Sequence, residues 1–312
     1  MAPIDRSAQR VVFIWSARPN NATEVIGGLQ HIGGTTNGDF LQMIQILLPN
    51  ASHDLTVQGP SGSTLTDDDQ PLLRGDYVVS GDDVKVSEEV VLPRALSQSS
   101  GTRVRGFRDA VRARDGRCVI TKRPNVYSEF DEWTRFEVAH LFPVAYEQQW
   151  ITDNYSRYIS QVPSTGGTIN SVQNGLLLRT DLHDGFDQYR FSINPRANHK
   201  VIVFSSTFDD LVGQSLDRQL LDDPSCPPDE LLWWHFTQAV LANVRGAGEP
   251  IYEHDFPPGS DMMGEIMEGP NAPQRLEFEL FSRLAAHVEV VDTASTAKNE
   301  DHTASEDGKQ RE

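Results

Sequence analysis

His140, Asn174 and His183 are the residues of this chain whose types and spacing can do chemistry; 34 positions separate the first two and nine the last two. An imidazole, whose ordinary pKa lies near ~6.5, takes a proton from water near neutrality without being permanently charged. A second imidazole and an amide carbonyl oxygen are donors that a divalent cation accepts, and such a mixed shell does not name one ion. Hydrolysis of a phosphodiester needs these parts: a nucleophile made at neutral pH, and positive charge against the oxygens that become negative.

The elements that must carry these groups can be read around them. Arg135 to Phe142 reads as a strand ended by Pro143, with Val138, His140 and Phe142 on one face and Glu137 and Ala139 on the other. Beyond Asn174, Leu177, Leu178, Leu182 and Phe186 recur at helical intervals, which predicts a helix with Asn174 just before its start. Nine residues of helix make about two and a half turns, so Asn174 and His183 would face opposite ways if both were helical. Arg179 falls on that expected helix, where it could meet phosphoryl charge or close a salt bridge.

His140 in FEVAHLFP and Asn174 and His183 in NGLLLRTDLHDGF resemble the His-Asn-His core of the HNH nucleases. The resemblance implies an α+β fold with a ββα-metal core and surrounding helices. It implies a metal-dependent endonuclease with His140 as general base, and with Asn174 and His183 at one divalent ion, Mg, Mn or Zn. The expected partner is nucleic acid, with DNA placed ahead of RNA.

The chain also departs from the family pattern. Many HNH proteins carry a ligating Asp before the first His, and here that residue is Ala139. Glu137 shares Ala139's face and is the substitute ligand or a support for His140; Asp181, Asp184 and Asp187 are further carboxylates near His183. The two CxxC pairs of many HNH domains are lost as well. Cys118 has Thr121 where its partner would fall, and Arg179 and Leu182 stand at the second pair, so a four-thiolate zinc site is excluded. In this the chain resembles a Cys-poor HNH branch found in fungal proteins, with LHDGFDQYRFSINP, LLWWHFTQAVLANVRGAGEP and DFPPGSDMM extending the likeness over roughly residues 100 to 285. Two other readings stand beside it: a catalytically degenerate HNH module that binds nucleic acid or a protein, and a fold in which His140 and His183 never meet.

Charge bears on the same choice. The net charge is −18, the wrong sign for gripping a phosphate backbone. Between Thr102 and Pro124, however, eight basic residues face two acidic ones, a net of +6. Val104, Phe107 and Val111 make an apolar stripe at helical spacing there. Arg105, Arg108 and Arg112 make a basic stripe beside it, either a phosphate track or a solvated face, and Gly116 is the expected stop.

Organisation along the chain is legible in outline. Residues 1–92 predict a small β-rich N-terminal domain, from short apolar runs at 11–15, 40–48 and 77–92. Residues 93–101 are Ser-rich and read as a linker, 102–288 as the nuclease-like domain with a helical extension, and 289–312 as a disordered polar tail. YRFSINP and KVIVFSS predict a hairpin, and a helix is expected from Pro228 to Gly246. Each of the two domains is long enough to bury its own core. The segment between His140 and Asn174, with Trp150, Tyr155 and Tyr158, reads as an insertion at the surface or along a substrate groove. His199, His235, His254 and His287 lack comparable context and read as structural or exposed, and Trp233-Trp234 reads as core. No apolar run is long enough for a signal or membrane span, and two scattered cysteines do not make a disulfide scaffold, so an intracellular setting, cytoplasm or nucleus, is expected.

Overall fold

The segment VFIWSA alternates, and its first, third and fifth side chains turn inward as the strand β1 (Val12–Ala17). The computed structural model describes residues 6–17, 23–51, 55–81, 84–92 and 102–248, with four isolated positions at 263, 264, 267 and 276. β1 pairs antiparallel with β2 (Thr23–Leu29), and the chain then enters α1 (Asn37–Leu47) before returning through β3 (Thr56–Gln58) and β4 (Gly75–Ser80). The sheet order is β2-β1-β4-β3, with β1 and β4 parallel and β3 antiparallel to β4. Two parallel neighbours require a long crossover, and α1 lies within it.

The run at 40–48, expected as strand, is therefore mostly helix. Thr36 accepts the Asp39 N–H while the Asp39 carboxylate accepts the Thr36 N–H, a capping box that starts α1. Phe40, Met43, Ile44 and Leu47 then fall on one buried face, which is helical spacing. The run at 77–92 is strand only as far as Ser80, and residues 84–92 form no regular element.

The basic segment forms α2 (Thr102–Asp115), ended by Gly116 at φ +60. Phe107 and Val111 are buried as expected; Val104's side chain lies outside the described ones. There follow β5 (Phe136–His140), α3 (Glu147–Thr152), β6 (Gly175–Arg179), α4 (Thr180–Asp187), β7 (Phe191–Asn194), β8 (Lys200–Val203), α5 (Arg218–Leu221) and α6 (Asp229–Val244). β5 and β6 form one antiparallel pair and β7 and β8 another, the latter where a hairpin was expected. α6 begins after Pro228, also as expected. The segment between His140 and Asn174 packs inward through Trp150, which meets Phe142 edge-on at 5.3 Å. The chain is α+β.

Two apolar cores organise these elements. One gathers α2, β5, β6, α4 and β7 around Phe107, Leu176, Leu178 and Phe186. The other joins the N-terminal sheet and α1 to Ile202 and Phe204 and to α6, whose Phe236, Val240 and Val244 are fully buried. The N-terminal sheet thus does not close its core alone. By contact, Met1–Arg94 and Ser100–Asp255 make one compact unit, while a second, Ala95–Ser99 with Phe256–Glu312, falls almost wholly outside the described residues. The expected linker, the tail, His254 and His287 lie outside them too. No described helix is long and apolar enough to cross a membrane.

Candidate active site

The register of β5 on β6 decides what meets at the site. Glu137 opposes Leu178, Ala139 opposes Leu176, and His140 opposes Gly175. Gly175 to Leu178 are all buried, because α2 and α4 both pack on this strand pair. A two-sided run of this kind carries no alternation, which is why Leu177 and Leu178 read as helical in sequence and are strand in the structure. The helix starts only at Thr180, so Asn174 lies a full strand ahead of it, at the end of a short 3-10 turn, Val172–Asn174.

That placement corrects the role expected of Asn174. Its side chain is fully buried and its polar atoms are spent on backbone. The Phe142 N–H donates to Asn174 Oδ1 at 2.8 Å, and Asn174 Nδ2 donates to the carbonyls of Phe142 at 3.0 Å and Ile169 at 2.8 Å. The Leu141 N–H reaches the Asn174 carbonyl at 2.9 Å. Asn174 therefore clamps the chain immediately after His140, with its amide engaged by backbone groups.

His140 is half-buried, and its ring lies flat on Phe107 of α2, centroids 4.0 Å apart and planes 15° apart. Gly175 makes room for this stack. A Cβ there would come within 2.6 Å of Phe107 Cζ and 2.7 Å of Val111 Cγ2. Neither Phe107 nor Gly175 was identified from sequence as part of the site; Phe107 carried only the signal of an apolar helix stripe, and Gly175 none beyond following Asn174.

His183 projects from α4 and is held between carboxylates. Its Nδ1 lies 3.3 Å from Glu137 Oε2 and 4.0 Å from Asp184 Oδ1, and its Nε2 lies 3.7 Å from Asp187 Oδ2. Glu137 thus reaches the helix from the strand face that Ala139 shares, while Ala139 itself is buried.

Residues 118–194 match the family model described as HNH endonuclease. The chain contains an HNH endonuclease domain. A second match, over residues 9–85, is to a domain of unknown function, DUF8573. No curated protein and no solved structure matches the chain. The HNH domain brings nuclease activity and a nucleic-acid substrate as its general implications. Its match spans β5, β6 and α4, so His140, Asn174 and His183 all lie inside it.

Among the described residues, no group of three or more His, Cys, Asp and Glu side chains is arranged to hold a metal ion. What the HNH domain offers is a pair, His183 Nδ1 and Glu137 Oε2, at 3.3 Å. Neighbouring ligands of an octahedral Mg²⁺ stand about 3 Å apart, and that ion commonly takes one or two protein donors with water and phosphate oxygens filling the rest. One imidazole and one carboxylate make a mixed pair that does not name an ion, and its spacing fits an open site completed by water or phosphate oxygens and not a closed protein cage.

The structure also describes the turn at Cys118, where the sequence excludes a four-thiolate zinc site. The turn at Cys118 is closed by backbone, with the Lys122 N–H on the Cys118 carbonyl at 2.8 Å and the Cys118 N–H on the Arg123 carbonyl at 3.0 Å. Both cysteines are free thiols.

The basic residues divide into two groups. Arg105 is exposed, Arg108 and Arg112 are partly so, and Arg112 stacks over Trp133 at 4.8 Å. The crowding of Arg112 by burial and by Arg108 holds its pKa below the usual guanidinium value. Arg114, counted in the +6, instead points inward. Its guanidinium donates to the carbonyls of Val172 and Gly175, both at 2.7 Å, and pairs with Asp115. Asp115 in turn accepts the Leu177 N–H at 2.9 Å, so the two side chains bolt α2 to β6. Arg117 is tied to Asp217 at 2.6 Å. Arg179 closes β6, rather than lying on a helix, and pairs with Asp181.

Proposed function

We propose that this protein is a metal-dependent HNH endonuclease that hydrolyses phosphodiester bonds in nucleic acid, DNA ahead of RNA, on a ββα-metal core built from β5, β6 and α4. His140 is the general base and draws the proton from the attacking water through its imidazole. Its ring is held flat by Phe107, so it need not reorganise as the proton moves. Asn174 is a positioning residue that fixes the backbone following His140. His183 and Glu137 are the residues that would hold the divalent ion, Mg, Mn or Zn. When bound, that ion supplies positive charge against the scissile phosphate and the leaving oxygen.

The observation that carries this reading is the meeting of Glu137 and His183 within a segment that matches the HNH endonuclease model. It supports a cation site despite Ala139. Arg105, Arg108 and Arg112 are the proposed phosphate contacts. Incubating the purified chain with supercoiled plasmid and Mg²⁺ or Mn²⁺ tests the proposal, with nicked circles as the expected product.

A second reading is a degenerate HNH module that binds without cutting. It is favoured by the burial of Ala139 where many relatives offer a carboxylate, and by the lack of a three-ligand group among the described residues. An inert wild type across several divalent ions would select it.

A further inference from the structure

A rigid knob between α2 and β5 turns large apolar side chains outward. Val126 is 71% exposed, Tyr127 60% and Phe130 78%. Their exposure is not slack. Buried Asn125 accepts the Tyr127 N–H at 3.1 Å and donates to the Glu132 carbonyl at 2.8 Å, and its own N–H reaches the Gly116 carbonyl at 3.2 Å. The Phe130 N–H closes a tight turn onto Tyr127 at 3.0 Å, and Trp133 Nε1 donates to Asp131 at 2.8 Å. Large apolar side chains held outward by a hydrogen-bonded turn offer a surface that a ligand can cover.

Tyr127 and Val126 line a groove of about 750 Å³ whose lining also includes Phe136 and Asp184, the sequence neighbours of Glu137 and His183. Arg123, Arg135 and Arg179 line it too, and so do the carboxylates of Glu132, Asp181 and Asp184. Three positive charges face three negative ones, and Arg179 is already paired with Asp181. A groove with no net charge attracts phosphate weakly, whereas an exposed ring beside guanidinium planes suits the face of a base. Positive charge for the backbone lies next door, where Arg112 packs over Trp133 and Arg108 precedes it by one helical turn.

We infer that this groove seats an unpaired nucleobase against Tyr127 while the arginines of α2 hold the adjoining phosphates, so that the preferred substrate is single-stranded or bulged. The inference rests on the nuclease reading for the identity of its ligand and goes beyond it in naming the substrate's form. A base inside a duplex has both faces covered by its neighbours, and only an extruded or unpaired one offers a face to a protein ring.

Binding measured without cleavage tests it. The full chain with His140→Ala, in EDTA, is titrated into a fluorescein-labelled single-stranded oligodeoxynucleotide, the same strand as blunt duplex, and a duplex with a one-base bulge. The single strand and the bulge are expected to bind several-fold more tightly than the duplex. Tyr127→Ala should weaken them roughly tenfold while leaving duplex affinity and the thermal melt unchanged. Arg112→Ala should weaken all three and lower the salt dependence of binding.

Equal affinity for duplex and single strand, or a Tyr127→Ala variant that binds the single strand like its parent, overturns the base site. Failure to bind any of the three probes overturns it as well and leaves the knob to a protein partner. The two readings fail separately. A chain that nicks plasmid yet ignores Tyr127→Ala loses only the base site, and one that binds single strands through Tyr127 but never cuts loses only the nuclease.

Discussion

At the scale of single residues, the site depends on what Asn174 does with its amide. Three backbone groups, the N–H and carbonyl of Phe142 and the carbonyl of Ile169, are satisfied by this one side chain inside the core. Asn174→Ala leaves all three without a partner, and each orphaned buried group costs about 1–3 kcal/mol. We expect the variant to lose at least ~2 kcal/mol in urea unfolding and to lose nicking with it, because the loop after His140 is released. Glu137 makes the complementary prediction. Glu137→Gln keeps the shape but removes the charge beside His183, so it should raise the Mg²⁺ concentration needed for half-maximal nicking by about 10–100-fold, with little change in the unfolding midpoint. A wild-type Mg²⁺ titration curve for that variant would remove Glu137 from the cation site. Sequence pointed to these histidines by spacing and neighbours alone. It could not show that Asn174 faces inward, since the same residue type suits a ligand and a buried backbone clamp.

At the scale of elements, legibility followed the period of the apolar pattern. α2 and α6, with long helical stripes and clear ends at Gly116 and Pro228, stand where they were expected. α1 was mistaken because its apolar residues are nearly contiguous, although the Thr36 and Asp39 pair before them is the signature of a helix start. β6 was mistaken because burial on both faces erases alternation. The join between α2 and β6 was hidden for a different reason: Arg114 reads as one more surface cation beside Arg112, and only the fold turns it inward. Arg114→Ala would leave Asp115 as an uncompensated buried carboxylate, a loss of about 3–5 kcal/mol that thermal or urea unfolding would register.

The pH dependence of that join has a definite sign. Burial pushes the Asp115 carboxyl up, against the downward pull of Arg114 and the Leu177 N–H. The folded chain therefore takes up this proton before the unfolded chain does. The cost of the ionised group is full above its folded pKa and is relieved as pH falls through it. Relative to Asp115→Asn, the wild type should gain stability on moving from neutral to mildly acid pH; a difference that stays flat or moves the other way would contradict the assignment.

At the scale of the whole molecule, the N-terminal sheet and the HNH segment are joined by α6. Phe236, Val240 and Val244 bury themselves with Ile14, Phe40 and Leu47 in one core, and Lys200 reaches Asp39 at 2.6 Å. Deleting residues 1–92 would uncover this face of α6, and each large side chain returned to water costs roughly 1.5–3 kcal/mol. The truncated chain is expected to be insoluble or to bind a hydrophobic dye, whereas a soluble, cooperatively melting fragment would show that the HNH segment folds alone. Composition suggested two self-sufficient cores because it counts apolar residues without saying which elements share them.

The overall charge of −18 sets a condition on the proposed nuclease activity. If the arginines of α2 are the phosphate contacts proposed above, they work against that net charge, so activity should fall steeply as salt rises. The role of His140 as general base is tested by plasmid nicking with wild type and His140→Ala side by side, in low salt with Mg²⁺ or Mn²⁺. Nicked circles are expected from the wild type and a loss of at least ~10²-fold in His140→Ala, with the two melting curves superimposed. Equal nicking by both proteins would contradict it.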